Sequence, residues 1–106
     1  METWRDATVA ERRQYQLISL IFSKHPKLLE FFFETQRPRI RFESEKMLDE
    51  AGCFSSGEQL LIRVALDLWS GSGNALVWQM VEILDHENFS NVLKALDNWR
   101  HFVSAN

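Results

Sequence analysis

The sequence predicts an all-α fold, a compact bundle of about five or six helices around one central apolar helix near residues 56–70. Three observations carry that expectation. Glycine and proline are scarce, four and two in 106 residues, so the turn signals that a β-sandwich needs every ~8–12 residues are missing. No run of β-branched residues reaches strand length, which removes the commonest strand signature. Apolar residues instead recur at i, i+3, i+4 and i+7 through most of the chain, the spacing that lines one face of a helix.

The first helix is expected to start at Thr8. Thr8-Val9-Ala10-Glu11 has capping-box spacing, in which the hydroxyl and the carboxylate each satisfy an orphan backbone N–H. Tyr15, Leu17, Ile18, Ile21 and Phe22 supply its apolar face, and His25-Pro26 ends it, because proline disfavours helical geometry in the preceding residue. Trp4 falls upstream, in a short leading turn. Pro26 then opens a short second helix, where its missing N–H costs nothing, with Leu28, Leu29, Phe32 and Phe33 on the buried side. A third helix is expected from about Phe42 to Ala51, with Gly52 as a left-handed C-terminal cap.

Ser55-Ser56-Gly57-Glu58 repeats the capping-box spacing and is the clearest helix start in the chain. Leu60, Leu61, Ile62, Val64, Ala65, Leu66, Leu68 and Trp69 follow. Gln59, Arg63, Asp67 and Ser70 leave only a narrow polar stripe, so this helix belongs inside the others. Ser70-Gly71-Ser72-Gly73-Asn74 is a turn by composition. Helix five runs through Leu76, Val77, Met80, Val81, Ile83 and Leu84. Asp85 caps the last helix, where Phe89, Val92, Leu93, Leu96, Trp99 and Val103 form an amphipathic face. Short connections make helices four to six antiparallel neighbours. With no repeat, linker or low-complexity tract, residues 1–106 read as one helical domain.

Bulk composition narrows the function classes. Hydrophobic residues at 45% and charged residues at 25% are too apolar a mixture for disorder. The N-terminal charges lead into no secretory h-region, and no apolar run approaches the ~20 residues that span a membrane. A single cysteine, Cys53, allows neither an internal disulfide nor a multi-cysteine zinc site. A cytoplasmic setting follows as the expectation. Charge is uneven: residues 1–42 hold eight Lys/Arg against five Asp/Glu, while residues 43–106 hold four against ten, which together give the net −3.

No catalytic constellation emerges. Phe54-Ser55-Ser56-Gly57-Glu58-Gln59 resembles the signature motif of ABC-type ATPases, and Val81–Asp85 faintly resembles a Walker B strand. No GxxxxGK[ST] phosphate loop accompanies them, and the capping box accounts for the same letters. Asp85-His86-Glu87 holds three metal-capable side chains, but neighbours on a helix diverge by about 100° and cannot converge on one ion. Cys53 lies ahead of a helix N-terminus without a sequence-placed base, so a buried or half-buried structural thiol is expected. Asp49-Glu50 reads as a solvated face. No enzyme and no cofactor are expected.

Arg37-Pro38-Arg39-Ile40-Arg41-Phe42 is the most unusual segment. Pro38 biases Arg37 toward extended backbone. Alternation would then put Arg37, Arg39 and Arg41 on one edge and Ile40 and Phe42 on the other. Those arginines can grip an acidic partner or phosphates, or pair with this chain's own acidic half. Phe31-Phe32-Phe33 spans about 200° of a helical wheel, so not all three rings face one core, and Phe31 is expected near the surface. A helix-turn-helix is disfavoured, because Asn74–Asp85 carries no Lys or Arg and has the wrong sign for a major groove. The function expected is a protein-binding or regulatory module. It acts through a protein partner or homo-oligomer, with Arg37, Arg39, Arg41, Phe31 and Phe33 as candidate contacts and no membrane involved. The alternatives are a nucleic-acid accessory factor using the same arginines and a small enzyme assembled across an oligomer interface.

Overall fold

The computed structural model describes residues 7–34 and 39–104. Among them lie α1 (Val9–Ile21), α2 (Pro26–Phe32), α3 (Ser44–Glu50), a 3-10 turn (Ala51–Cys53), α4 (Ser56–Ser70), α5 (Val77–Ile83) and α6 (His86–Ser104). The all-α bundle is therefore what the chain forms, with a radius of gyration of 13.3 Å. Among the described residues no helix is long and apolar enough to cross a membrane.

Local chemistry starts the helices where the sequence places them. Thr8 Oγ1 accepts the Glu11 N–H at 3.1 Å, and the Glu11 carboxylate accepts the Thr8 N–H at 2.9 Å. Ser55 and Glu58 repeat this reciprocal pair at 3.2 and 3.0 Å. In α6, Asp85 Oδ1 accepts the Asn88 N–H at 2.8 Å. Each cap satisfies donors that have no partner inside the helix.

α4 is the hub. Leu60, Leu61, Ile62, Val64, Ala65, Leu66 and Leu68 are all buried, and α4 touches α1, α2, α3, α5 and the 3-10 turn. An aromatic column packs beside it. Phe33 meets Tyr15 at 4.9 Å, Phe32 at 4.9 Å and Trp69 at 5.5 Å between ring centroids, tilted or edge-on. Those offsets are the ones the ring quadrupoles favour.

Three expectations need correction. Helix three is shorter than Phe42–Ala51, because the chain tightens into the 3-10 turn after Glu50. Gly52 lies inside that turn and keeps negative φ, so it is no left-handed cap; Gly71 is the glycine that takes positive φ. The last helix does not lie along α5. It runs antiparallel to α1, with the Lys24–Glu87 ion pair and the 3.0 Å His25–Asn88 contact at one end and Arg13 stacked 4.8 Å from the Phe102 ring at the other. Its buried Val92 and Ala95 face a partner remote in sequence, which connection length does not reveal. Trp4 lies outside the described residues.

Candidate protein-docking surface

The least buried apolar element is α5, and the loop before it is built to hold it in place. At the end of α4, Gly71 adopts φ +70° and ψ +22°, and its N–H bonds to the Asp67 carbonyl at 3.0 Å. The left-handed residue lets the chain turn back across the helix it has just left. The Asp67 carboxylate then accepts three backbone N–H groups, from Gly73 at 2.8 Å, Asn74 at 3.0 Å and Ala75 at 2.9 Å. Arg63, one turn earlier, donates from Nη1 to the Gly73 carbonyl at 3.0 Å. Gly73 is pressed so closely on α4 that an added Cβ would sit 1.7 Å from the Arg63 carbonyl oxygen. Two residues of the polar stripe of α4, Arg63 and Asp67, are thus half-buried and clamp the loop.

From that clamp, Leu76 leads in extended geometry (φ −96°, ψ 132°) into α5, which has no side-chain cap. Only Met80 and Leu84 insert into the core. The apolar residues on either side of them stay out. Val77, Trp78 and Val81 retain 68, 58 and 62% of their exposure, and Leu76 and Ile83 are also exposed. At 100° per residue, Val77, Val81 and Trp78 occupy one arc of about 100° beside Met80. Gln79 and Glu82 are the sole polar side chains on this helix. A helix apolar around most of its circumference is ordinarily enclosed, yet the contacts of α5 are chiefly with α4. Val77, Trp78 and Val81 together expose on the order of 350 Å² of surface, within the size range of functional patches.

The electrostatics around this face are one-sided. Residues 64–93 contain no Lys or Arg and include Asp67, Glu82, Asp85 and Glu87. Asp67 is held by the loop amides and Glu87 pairs with Lys24, leaving Glu82 and Asp85 as the exposed charges flanking α5.

The residues expected at the interface occupy different places. Arg37 lies outside the described residues. Arg39 and Arg41 are exposed while Ile40 and Phe42 are half-buried, the alternation expected of an extended stretch. An isolated antiparallel bridge between Phe33 and Ile40 fixes the register. The Arg41 guanidinium donates to the Glu30 carbonyl at 2.9 Å and to the Phe33 carbonyl at 3.2 Å, closing the end of α2. Phe33 is 3% exposed and belongs to the core, not to the surface. Phe31 is half-buried, packed edge-on against Phe54 at 5.0 Å and tilted on Phe42 at 5.8 Å.

Cys53 is exposed rather than buried, its Sγ 3.6 Å from the Glu50 carbonyl. The 3-10 turn carries it outward. Among the described residues no group of three His, Cys, Asp or Glu side chains converges as metal ligands would. An open depression of about 380 Å³ lies between the end of α1 and the start of α6, lined by Lys24, His86, Glu87, Ser90 and Lys94. Of its two lysines, Lys24 is already paired with Glu87, which holds the Lys24 pKa above its usual value.

Apolar periodicity alone does not reveal the exposure of α5, because it marks an apolar face without saying whether a neighbour covers it. One signal was available. Leu76, Val77, Trp78, Val81 and Ile83 cover more of the wheel than one neighbouring helix can hide. Compared with known proteins, the chain matches no family model, no curated protein and no solved structure.

Proposed function

We propose that this chain is a protein-binding module, regulatory rather than catalytic, that engages its partner through the exposed face of α5. One observation carries the reading: Val77, Trp78 and Val81 form a contiguous apolar arc on a helix whose approach loop is fixed by the Asp67 carboxylate and the Gly73 contact. Preorganisation matters because a docking helix already held in place avoids the ordering cost that weakens binding. Trp, which forms one side of this arc, is among the residue types most often found to dominate interface energetics.

The arginine edge supports this role less well. Arg41 already uses its donors on the carbonyls of Glu30 and Phe33, so it acts within the fold. In a cytoplasmic setting the exposed Cys53 thiol stays reduced.

The test is site-specific photocrosslinking in cells, with the photoreactive residue at position 81 and, as control, at position 46 on α3. A defined protein adduct from position 81 and none from position 46 is the expected result. Equal, diffuse labelling from both positions would refute a dedicated α5 surface.

A further inference from the structure

We infer that the α5 face receives a basic, amphipathic segment of another protein, with a Lys or Arg of that segment seated at Trp78 and Glu82. This rests on the docking role assigned to α5 above.

The first argument is the pairing of Trp78 with Glu82. They stand four residues apart on α5, so their Cβ atoms are about 5–6 Å apart on one side of the helix. Both are exposed. Among the described residues no cation lies over the Trp78 ring and none pairs with Glu82. An indole face attracts a cation through its quadrupole, and a carboxylate one turn away adds acceptors for the same ammonium or guanidinium. Around the wheel the order is Val77, Val81, Trp78, Glu82, at about 60, 100, 160 and 200° from the buried Met80. A segment laid on this face therefore meets an apolar strip and, along its edge, a seat for a positive charge.

The second argument is the sign of the field. Residues 64–93 contain no Lys or Arg. Glu82 lies in the last turn of α5 and Asp85 just beyond it, where the helix carbonyls already carry partial negative charge. No basic residue in that turn offsets them. A nucleic acid or an anionic membrane is repelled here, and a second copy brings like charges together. A basic segment is attracted, which raises its association rate and fixes its register.

Area sets the kind of partner. The arc of about 350 Å² falls short of the ~800 Å² that each side of a standard protein–protein interface buries. It suits a single docked helix or strand rather than a broad globular face.

The experiment is selection from a random 16-residue peptide display library on the full chain. Trp78→Ala/Val81→Ala serves as the subtracting protein, so that recovered peptides require the α5 face. Circular dichroism verifies that each variant keeps wild-type helicity. Peptides recovered on the wild type are expected to be enriched in Lys and Arg beside apolar residues, and selection on Glu82→Lys is expected to lose that enrichment. By calorimetry, the best wild-type peptide should bind Glu82→Gln about fivefold more weakly and Trp78→Leu about tenfold more weakly. Glu45→Gln, at an exposed position on α3, changes the net charge equally and should bind as the wild type does. Neutral or acidic peptides on the wild type overturn the inference, as does a library that yields none dependent on the face. So does a basic peptide that Glu82→Gln and Glu45→Gln weaken alike, since that marks attraction to net charge alone. A chain that dimerises in sedimentation equilibrium, and loses the dimer in Val81→Glu, puts a second copy on the face instead. When the basic segment fails, a protein adduct from position 81 leaves the docking role standing, and no adduct removes both.

Discussion

Replacing Gly73 by Ala tests the clamp that holds α5. The added methyl carbon would lie 1.7 Å from the Arg63 carbonyl oxygen and 2.7 Å from the carbonyl carbon. Both are backbone atoms of a buried helix, so the loop must move instead. Reaching the 3.0 Å floor of real Cβ contacts takes at least 1.3 Å of movement. The Gly73 N–H bond to Asp67, 2.8 Å long, then exceeds 3.5 Å and is lost. The Asn74 and Ala75 N–H bonds to the same carboxylate and the Arg63 bond to Gly73 move with it. Hydrogen bonds to a charged group contribute about 1.5–3 kcal/mol each, so losing two of the four costs about 3 kcal/mol after partial relaxation. A chain of this size has a total stability of about 5–15 kcal/mol. Urea unfolding followed by far-ultraviolet circular dichroism should therefore show a midpoint lowered by roughly 2 M at an m-value near 1.5 kcal/mol/M. Gly52→Ala is the control. Nothing lies within 4 Å of its added carbon, and its midpoint should move by less than about 0.5 kcal/mol in equivalent stability. If the two variants unfold together, the loop is not pressed on α4, and the preorganisation of α5 falls with it.

The remaining predictions address other parts of the fold. Ser55→Ala removes the α4 cap and should cost about 1 kcal/mol, read as a shift in the same urea midpoint. The Ser55 N–H, followed by its hydroxyl, holds the Glu58 carboxyl below its ordinary pKa. Its stabilisation is therefore complete above the ordinary glutamate range and is lost as pH falls through the lower folded value. Glu58→Gln keeps the capping geometry and should flatten that part of the acid-unfolding curve; an unchanged slope would show that Glu58 contributes nothing to it. Arg41→Ala leaves the Glu30 and Phe33 carbonyls without their guanidinium and should destabilise by about 1–2 kcal/mol. Arg41→Lys should not restore the loss, because an ammonium lacks the fork. Leu61→Ala, at a fully buried position, should cost about 2–5 kcal/mol, whereas Leu93→Ala on the exposed side of α6 should cost under about 0.5 kcal/mol.

Where a structural decision is made by atoms close along the chain, the sequence alone determines it. Thr8 with Glu11, Ser55 with Glu58, and Asp85 ahead of α6 are caps closed within three residues, and all three form where the letters place them. The centrality of α4 was legible for a related reason. A helix with seven buried apolar side chains and a four-residue polar stripe has no stable position except inside the others.

Tertiary structure decided what apolar periodicity cannot count, namely how many neighbours each helix receives. α5 and α4 are both apolar around most of their circumference, but α4 packs against four other helices and the 3-10 turn, whereas α5 packs chiefly on α4 and buries only Met80. The partner of α6 was likewise settled at long range, by Lys24, His25 and Arg13 of a segment some sixty to ninety residues earlier in the chain. The same holds for the functional candidates. Arg41 and Phe33 carry side chains typical of interfaces, yet the antiparallel bridge turns one onto backbone carbonyls and the other into the aromatic column. Side-chain type fixes what a residue can do, and only the packing around it fixes whether it faces a partner or its own fold.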